Sequence, residues 1–147
     1  MTRSAAALLF ILLSLSLLPV RAEQARDFGD YVVHYNALTT DFLAPEVARN
    51  YGIRRSSHRG LVNISVQRKT AVAVGEPVPA RVRVTTTRAG AQKRELAVRE
   101  IRERGAIYYI AEFDIDASDT LNFDLSVIPE GQDNTFIFSF SRQFYAE

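Results

Sequence analysis

The sequence predicts an all-β domain: an immunoglobulin-like antiparallel β-sandwich of about seven strands with one short helix after the first strand. A small antiparallel β-barrel is the alternative. Three observations carry this reading. Apolar residues alternate with polar ones at period two along most of the chain. Turn-forming clusters recur about every ten to fifteen residues. A single stretch, "APEVARNYG", breaks the alternation.

The first residues are not part of the predicted fold. "MTR" is a short basic start, "SAAALLFILLSLSLLPV" is an apolar run, and "VRA" places small residues at the exit, Val20 and Ala22. This is the pattern of a secretory signal, cleaved after Ala22. The run Ala5–Leu18 is shorter than the about 20 residues a membrane span needs, so no stable span is expected after cleavage. Residues 1–22 are read as signal peptide and 23–147 as one domain. The expected location is the periplasm. The chain has no cysteine, which excludes disulfides, thiolate metal sites and thiol chemistry.

The strands follow in order. "DYVVHYNA" sets Tyr31, Val33 and Tyr35 against Val32, His34 and Asn36. "GLVNISVQRK" sets Val62, Ile64 and Val66 inward and Leu61, Asn63 and Ser65 outward. "PARVRVTTT" offers Val82 and Val84. "KRELAVREIRERG" reads as one strand ending in a tight turn at Arg104–Gly105, because a strong strand, "AIYYIAEFDI", follows at once. "TLNFDLSVI" and "NTFIFSFSRQF" complete the set with Phe123, Leu125, Phe136 and Phe138 inward. "GEPVP", "RAG", "DASD" and "PEGQDN" are connections by composition. In "APEVARNYG", Pro45 suits a first helical position and Gly52 the residue past the end. So short a helix is unstable alone. It is expected to lie on the sheet through Val47 and Tyr51, assisted by Phe42 and Leu43.

Charge is unevenly distributed. Between Arg49 and Arg104 fourteen basic residues accompany four acids, whereas Ile107 to Glu147 carries eight acids and only Arg142. Acidic and basic strands are therefore expected to pair side by side. The other reading is a basic face for an anionic partner.

The candidate binding residues all fall in "YVVHYNALTTDFLAPEVARNYGIRRSSHR": His34, Asn36, Tyr51, Arg54, Arg55, Ser56 and His58. If the helix folds back over its strand, these groups converge on a small polar or anionic ligand. Catalytic chemistry is poorly provided for, and no catalytic residues, cofactor or metal are assigned. No glycine-flanked nucleophile or phosphate-cradling loop occurs. The alternatives are a small periplasmic hydrolase using His58 with Ser56 or Ser57, and a weak metal site through His34 and His58. Nucleic acid is not an expected partner, because the aromatics lie away from the arginines. The expectation is a non-catalytic binding or assembly module for an envelope protein or a small polar ligand; the sequence leaves the oligomeric state open.

"DYVVHYNAL", "LAPEVARNYGIRRS" and "LVNISV", in that order and spacing, resemble the bacterial domain-of-unknown-function family number 4426. The resemblance runs from Gly29 to about Phe144. It implies a small exported β-rich protein of Gram-negative bacteria with no established activity, and supplies no catalytic residues. The positions matching its motifs are His34, Tyr35, Asn36, Tyr51, Gly52, Arg54 and Ser56.

Overall fold

The computed structural model describes residues 24–72 and 75–146; the predicted signal segment lies outside the described residues. No helix among them is long and apolar enough to cross a membrane. Two antiparallel sheets face each other. The first contains β1 (Gln24–Phe28), β2 (Tyr31–Thr39), β3 (Arg59–Arg68), β8 (Ala106–Asp114) and β7 (Val98–Glu103) in that spatial order, with the two-residue β4 (Glu76–Pro77) added to β3. The second runs β10 (Phe136–Tyr145), β9 (Ser118–Pro129), β5 (Ala80–Arg88), β6 (Arg94–Leu96). The order β2-β3-β8-β7 facing β10-β9-β5 corresponds to the ABED and GFC sheets of the immunoglobulin sandwich. Neither sheet closes on itself, so the barrel alternative is not realised.

The predicted core is where the alternation put it. Val33, Val62, Ile64, Val84, Phe123, Leu125 and Val127 are fully buried between the sheets. Phe138 is buried, and Val82 and Phe136 pack against the same cluster. Aromatic rings tie the sheets together: Phe28 stacks on Phe136 with centroids 4.5 Å apart, Tyr35 meets Phe140 at 4.7 Å, and Phe113 meets Phe123 at 5.0 Å.

Three details differ from the sequence reading. The described residues form ten strands rather than about seven, and β1, which the alternation did not mark, precedes β2, so the helix follows the second strand and not the first. "KRELAVREIRERG" is not one strand: β6 pairs with β5 in the second sheet and β7 with β8 in the first, so the chain changes sheets at Ala97. The expected turn at its end does form. Arg104 has φ 43° and Gly105 φ 80°, the two positive values of a type I′ hairpin turn.

The helix α1 (Pro45–Asn50) also rests differently. The residue at the centre of its contact is Ala48, 2% exposed, packed with Ile53, Leu61 and Ile110; Tyr51 and Leu43 pack against this cluster as expected, while Val47 and Phe42 are exposed. The turn after α1 explains the shift. Gly52 takes φ 65°, its N–H bonds Arg49 O at 3.2 Å, and the Ile53 N–H bonds Ala48 O at 2.8 Å. This is a Schellman motif, which brings the residue two past the cap against the last turn of the helix. Ile53 thus joins Ala48 on the sheet, and the small alanine lets the helix backbone come close.

Candidate functional site

The outer face of the first sheet carries the side chains that the core does not use. On β3 these are Leu61, Asn63 and Ser65; on β8, Tyr108, Ile110 and Glu112; on β7, Arg99, Ile101 and Glu103. α1 and the segments beside it cover part of this face. Between helix and sheet lies a cleft of about 300 Å³. Leu61, Ile101 and Ile110 form an apolar floor, and Leu43, Val47 and Ile53 form the walls. Its volume is at the small end of the range for ligand pockets.

Polar groups enter the cleft at two places. At the rim, the Tyr51 hydroxyl donates to Glu103 Oε2. Arg99 donates to the Tyr51 carbonyl at 2.9 Å and so fixes the end of the helix to β7. On the floor, Asn63 Oδ1 is buried and has no hydrogen-bond donor among the described residues. A buried acceptor left unpaired is costly; because Oδ1 is closed to solvent, a ligand N–H or O–H would reach it only where the side chains over it give way.

The candidate residues divide among three places. Tyr51 lines the cleft, and Asn36 lies directly across from Asn63 on the neighbouring strand. Arg54, Arg55, Ser56 and His58 sit on the corner that follows the cleft wall. There the buried Thr40 hydroxyl accepts from the Ser56 N–H at 2.9 Å and contacts the Arg54 carbonyl at 2.8 Å. Arg55 donates to the Asp41 carbonyl at 2.7 Å. Ser56 Oγ accepts from the His58 N–H at 3.1 Å, the bond of a local turn rather than one that draws a proton from the hydroxyl.

His34 is elsewhere. It pairs with Ser65 and lines a shallow depression with Gln67 and Lys69. Ser65 stands six positions along β3 from Arg59, which is beside His58, a distance of roughly 20 Å along a strand. The convergence of His34 with Arg54, Ser56 and His58 therefore does not occur, and no metal can be shared by the two histidines. Among the described residues no group of three or more histidine, aspartate or glutamate side chains is placed to hold a metal.

Sequence reasoning missed Asn63, Glu103 and Thr40. Asn63 carried a signal: a carboxamide in the middle of the outward face of a strand otherwise rich in apolar residues. Glu103 and Thr40 carried none, since a glutamate before a turn and a threonine after a strand are ordinary.

Comparison with known proteins agrees with the sandwich. A DUF4426 family protein from Pseudomonas aeruginosa PAO1, known from its crystal structure, is similar at 34% identity. The match covers 87% of this chain and 98% of that one, with a TM-score of 0.74. A copper-bound variant of FetP from uropathogenic Escherichia coli strain F11 shares the fold at 11% identity, covering 86% and 97% of the two chains with a TM-score of 0.59. FetP as isolated, expressed in the periplasm of E. coli, matches at 10% identity, 86% and 95% coverage and a TM-score of 0.57. No match was found among curated proteins. Residues 25–147 match the family described as Domain of unknown function (DUF4426), so the chain belongs to the DUF4426 family.

Proposed function

We propose that this chain is an exported, non-catalytic binding module whose α1 cleft takes a small ligand with an apolar body and one hydrogen-bond donor. The observation that carries this reading is the mainly apolar α1 cleft itself, with Asn63 among its lining residues and Asn63 Oδ1 a buried acceptor that has no donor among the described residues. It revises the expected ligand from polar or anionic to mainly apolar. The Glu103 carboxylate at the rim opposes an anion and favours a neutral or cationic donor. Export rests on the basic start, apolar run and "VRA" exit of residues 1–22.

The hydrolase reading is weaker because the bond to Ser56 Oγ comes from the main chain of His58. The copper in the FetP variant does not transfer either. The likeness at 11% identity is one of fold, and the two histidines here stand well apart, His34 on β2 opposite Ser65 and His58 just before β3.

The test uses 1-aminoanthracene, a fluorescent apolar amine, with the carboxylate 1-anthroic acid as its anionic counterpart. The amine should bind saturably at one site and the carboxylate more weakly. Ile101→Trp, which fills the cleft, should abolish binding while leaving the urea midpoint close to that of the parent. Asn63→Leu should weaken binding by about tenfold, the equivalent of one net hydrogen bond. Equal binding of the amine by all three proteins, or tighter binding of the carboxylate, would overturn the proposal.

A further inference from the structure

The four sheet edges are not equally protected. β1 carries Arg26 and Asp27, β6 is only three residues long, and β7 carries Arg99, Glu100, Arg102 and Glu103. Charge and shortness are the usual means of keeping a strand edge from pairing with another chain. β10 has neither protection. It is ten residues long, "FIFSFSRQFY", with no proline and no charge but Arg142, and it pairs with β9 in unbroken register.

The register shows which backbone groups lie on the open side. Ala146 N–H bonds Ala117 O at 3.0 Å, in line with the β9–β10 pairing. Bonded and unbonded positions alternate in an antiparallel ladder. The even-numbered residues of β10 are therefore satisfied by β9, and Ile137, Ser139, Ser141, Gln143 and Tyr145 turn their N–H and C=O groups outward. The same five residues point their side chains away from the core. Two of them are large apolar groups left in solvent, Ile137 at 71% exposure and Tyr145 at 65%, one at each end of the strand. The serines between are turned toward β9: Ser139 Oγ donates to Asp124 at 2.6 Å, and Ser141 Oγ to Asn122.

We infer that β10 pairs antiparallel with β10 of a second copy of this chain about a two-fold axis at Ser141. This register is self-complementary. Ser141 faces Ser141, Ser139 faces Gln143, and Ile137 of one copy lies against Tyr145 of the other at both ends. Both exposed apolar groups are then covered, and cross-strand pairs of this kind stabilise a sheet. Arg142 falls opposite Phe140, so no charge meets its like. All five outward residues are used, giving about ten inter-strand hydrogen bonds. The second sheets of the two copies merge into one, and the contact is isologous, which closes the assembly at two.

The chain expressed in full and purified from the cell envelope supplies the test. Sedimentation over a dilution series should show a monomer–dimer equilibrium. Ser141→Lys sets two lysines against each other on the axis and should weaken the dimer by about fivefold or more, with the circular dichroism unchanged. Ser141→Cys gives an independent readout, because the chain has no cysteine of its own. Directly opposed residues in a bonded pair have Cα atoms about 5.5 Å apart, within disulfide reach. It should cross-link to a dimer on mild oxidation, and Thr120→Cys on β9 should not. A wild-type monomer at every concentration overturns the inference. So does a dimer that Ser141→Lys leaves intact and Ser141→Cys fails to cross-link, or an edge that binds only a different protein.

Discussion

At the scale of single residues, Thr40 organises the corner that the sequence marked as a binding site. Its side chain is 0% exposed, and its one hydroxyl serves three backbone groups: it accepts from Ser56 N–H and shares its proton between the carbonyls of Arg54, at 2.8 Å, and Ser56, at 3.2 Å. "GIRRS" is thereby fastened to the end of β2 through main-chain atoms, with Arg55 adding its bond to Asp41. Thr40→Val keeps the shape and removes the bonds. Because these bonds are part-buried, it should cost about 1–2 kcal/mol in urea unfolding, whereas Ser56→Ala, which loses only an exposed turn bond, should cost less than about 1 kcal/mol. If the two variants cost the same, Thr40 is not what holds the corner. The contrast also shows what a sequence conceals. Ser56 and the arginines attracted notice because their side chains are reactive or charged. The hydroxyl that matters is on a threonine whose role depends on a partner fourteen to sixteen residues away.

At the scale of elements, period-two alternation revealed the strands and which face of each is inward, since the side-chain direction is local geometry. It did not reveal to which sheet a strand belongs. Leu96 and Val98 both contribute to the one core, so the alternation continues through Ala97 although the chain changes sheets there. The helix was visible from Pro45 and Gly52, but its contact was not: the choice of Ala48 over Val47 follows from the Schellman turn and from the space a small side chain leaves. The same kind of close approach occurs between β3 and β8. A Cβ added at Gly60 would lie 2.1 Å from Phe113 Cζ, and Phe113 cannot retreat easily because it is packed against Phe123 and Phe144. Gly60→Ala should therefore destabilise the sandwich by about 1–3 kcal/mol, the cost of overpacking a core. Adding Phe113→Leu to Gly60→Ala should give a smaller total loss than the sum of the two single losses. Strict additivity of the pair would show that the glycine matters for some other reason.

At the scale of the whole molecule, the uneven charge of the sequence is arranged as pairing between segments. Arg59 meets Glu112 at 3.3 Å, Arg88 meets Asp119 at 2.8 Å, and Lys93 meets Asp124 at 2.7 Å, each joining the basic middle of the chain to its acidic end. The Lys93 ammonium, followed by the Ser139 hydroxyl, lowers the Asp124 carboxyl below its ordinary value. Lys69 and the Gly29 N–H do the same for Asp27. A carboxylate whose folded value is depressed stabilises the fold above its unfolded value, and that contribution is lost as pH falls through the folded one. Stability should therefore decline below about pH 4. The alkaline side depends on Tyr109. Burial raises its phenol above the ordinary value, and Glu100 beside it acts in the same direction against the lowering effect of the Ala80 N–H. That N–H donates to the Tyr109 oxygen at 2.8 Å, linking β8 of one sheet to β5 of the other. Here the sign is opposite: a raised folded value gives stability that is complete below the unfolded value, near 10, and is lost as pH rises through the folded one. Tyr109→Phe should lower stability near neutrality by about 1–2 kcal/mol, because the Ala80 N–H loses its acceptor. The gap between the two proteins should then narrow as pH climbs above about 10, since only the unfolded tyrosine ionises readily there. Urea midpoints measured from acid to alkaline pH for both proteins decide the matter: a gap of constant width would mean that the inter-sheet bond at Tyr109 does not depend on keeping its proton.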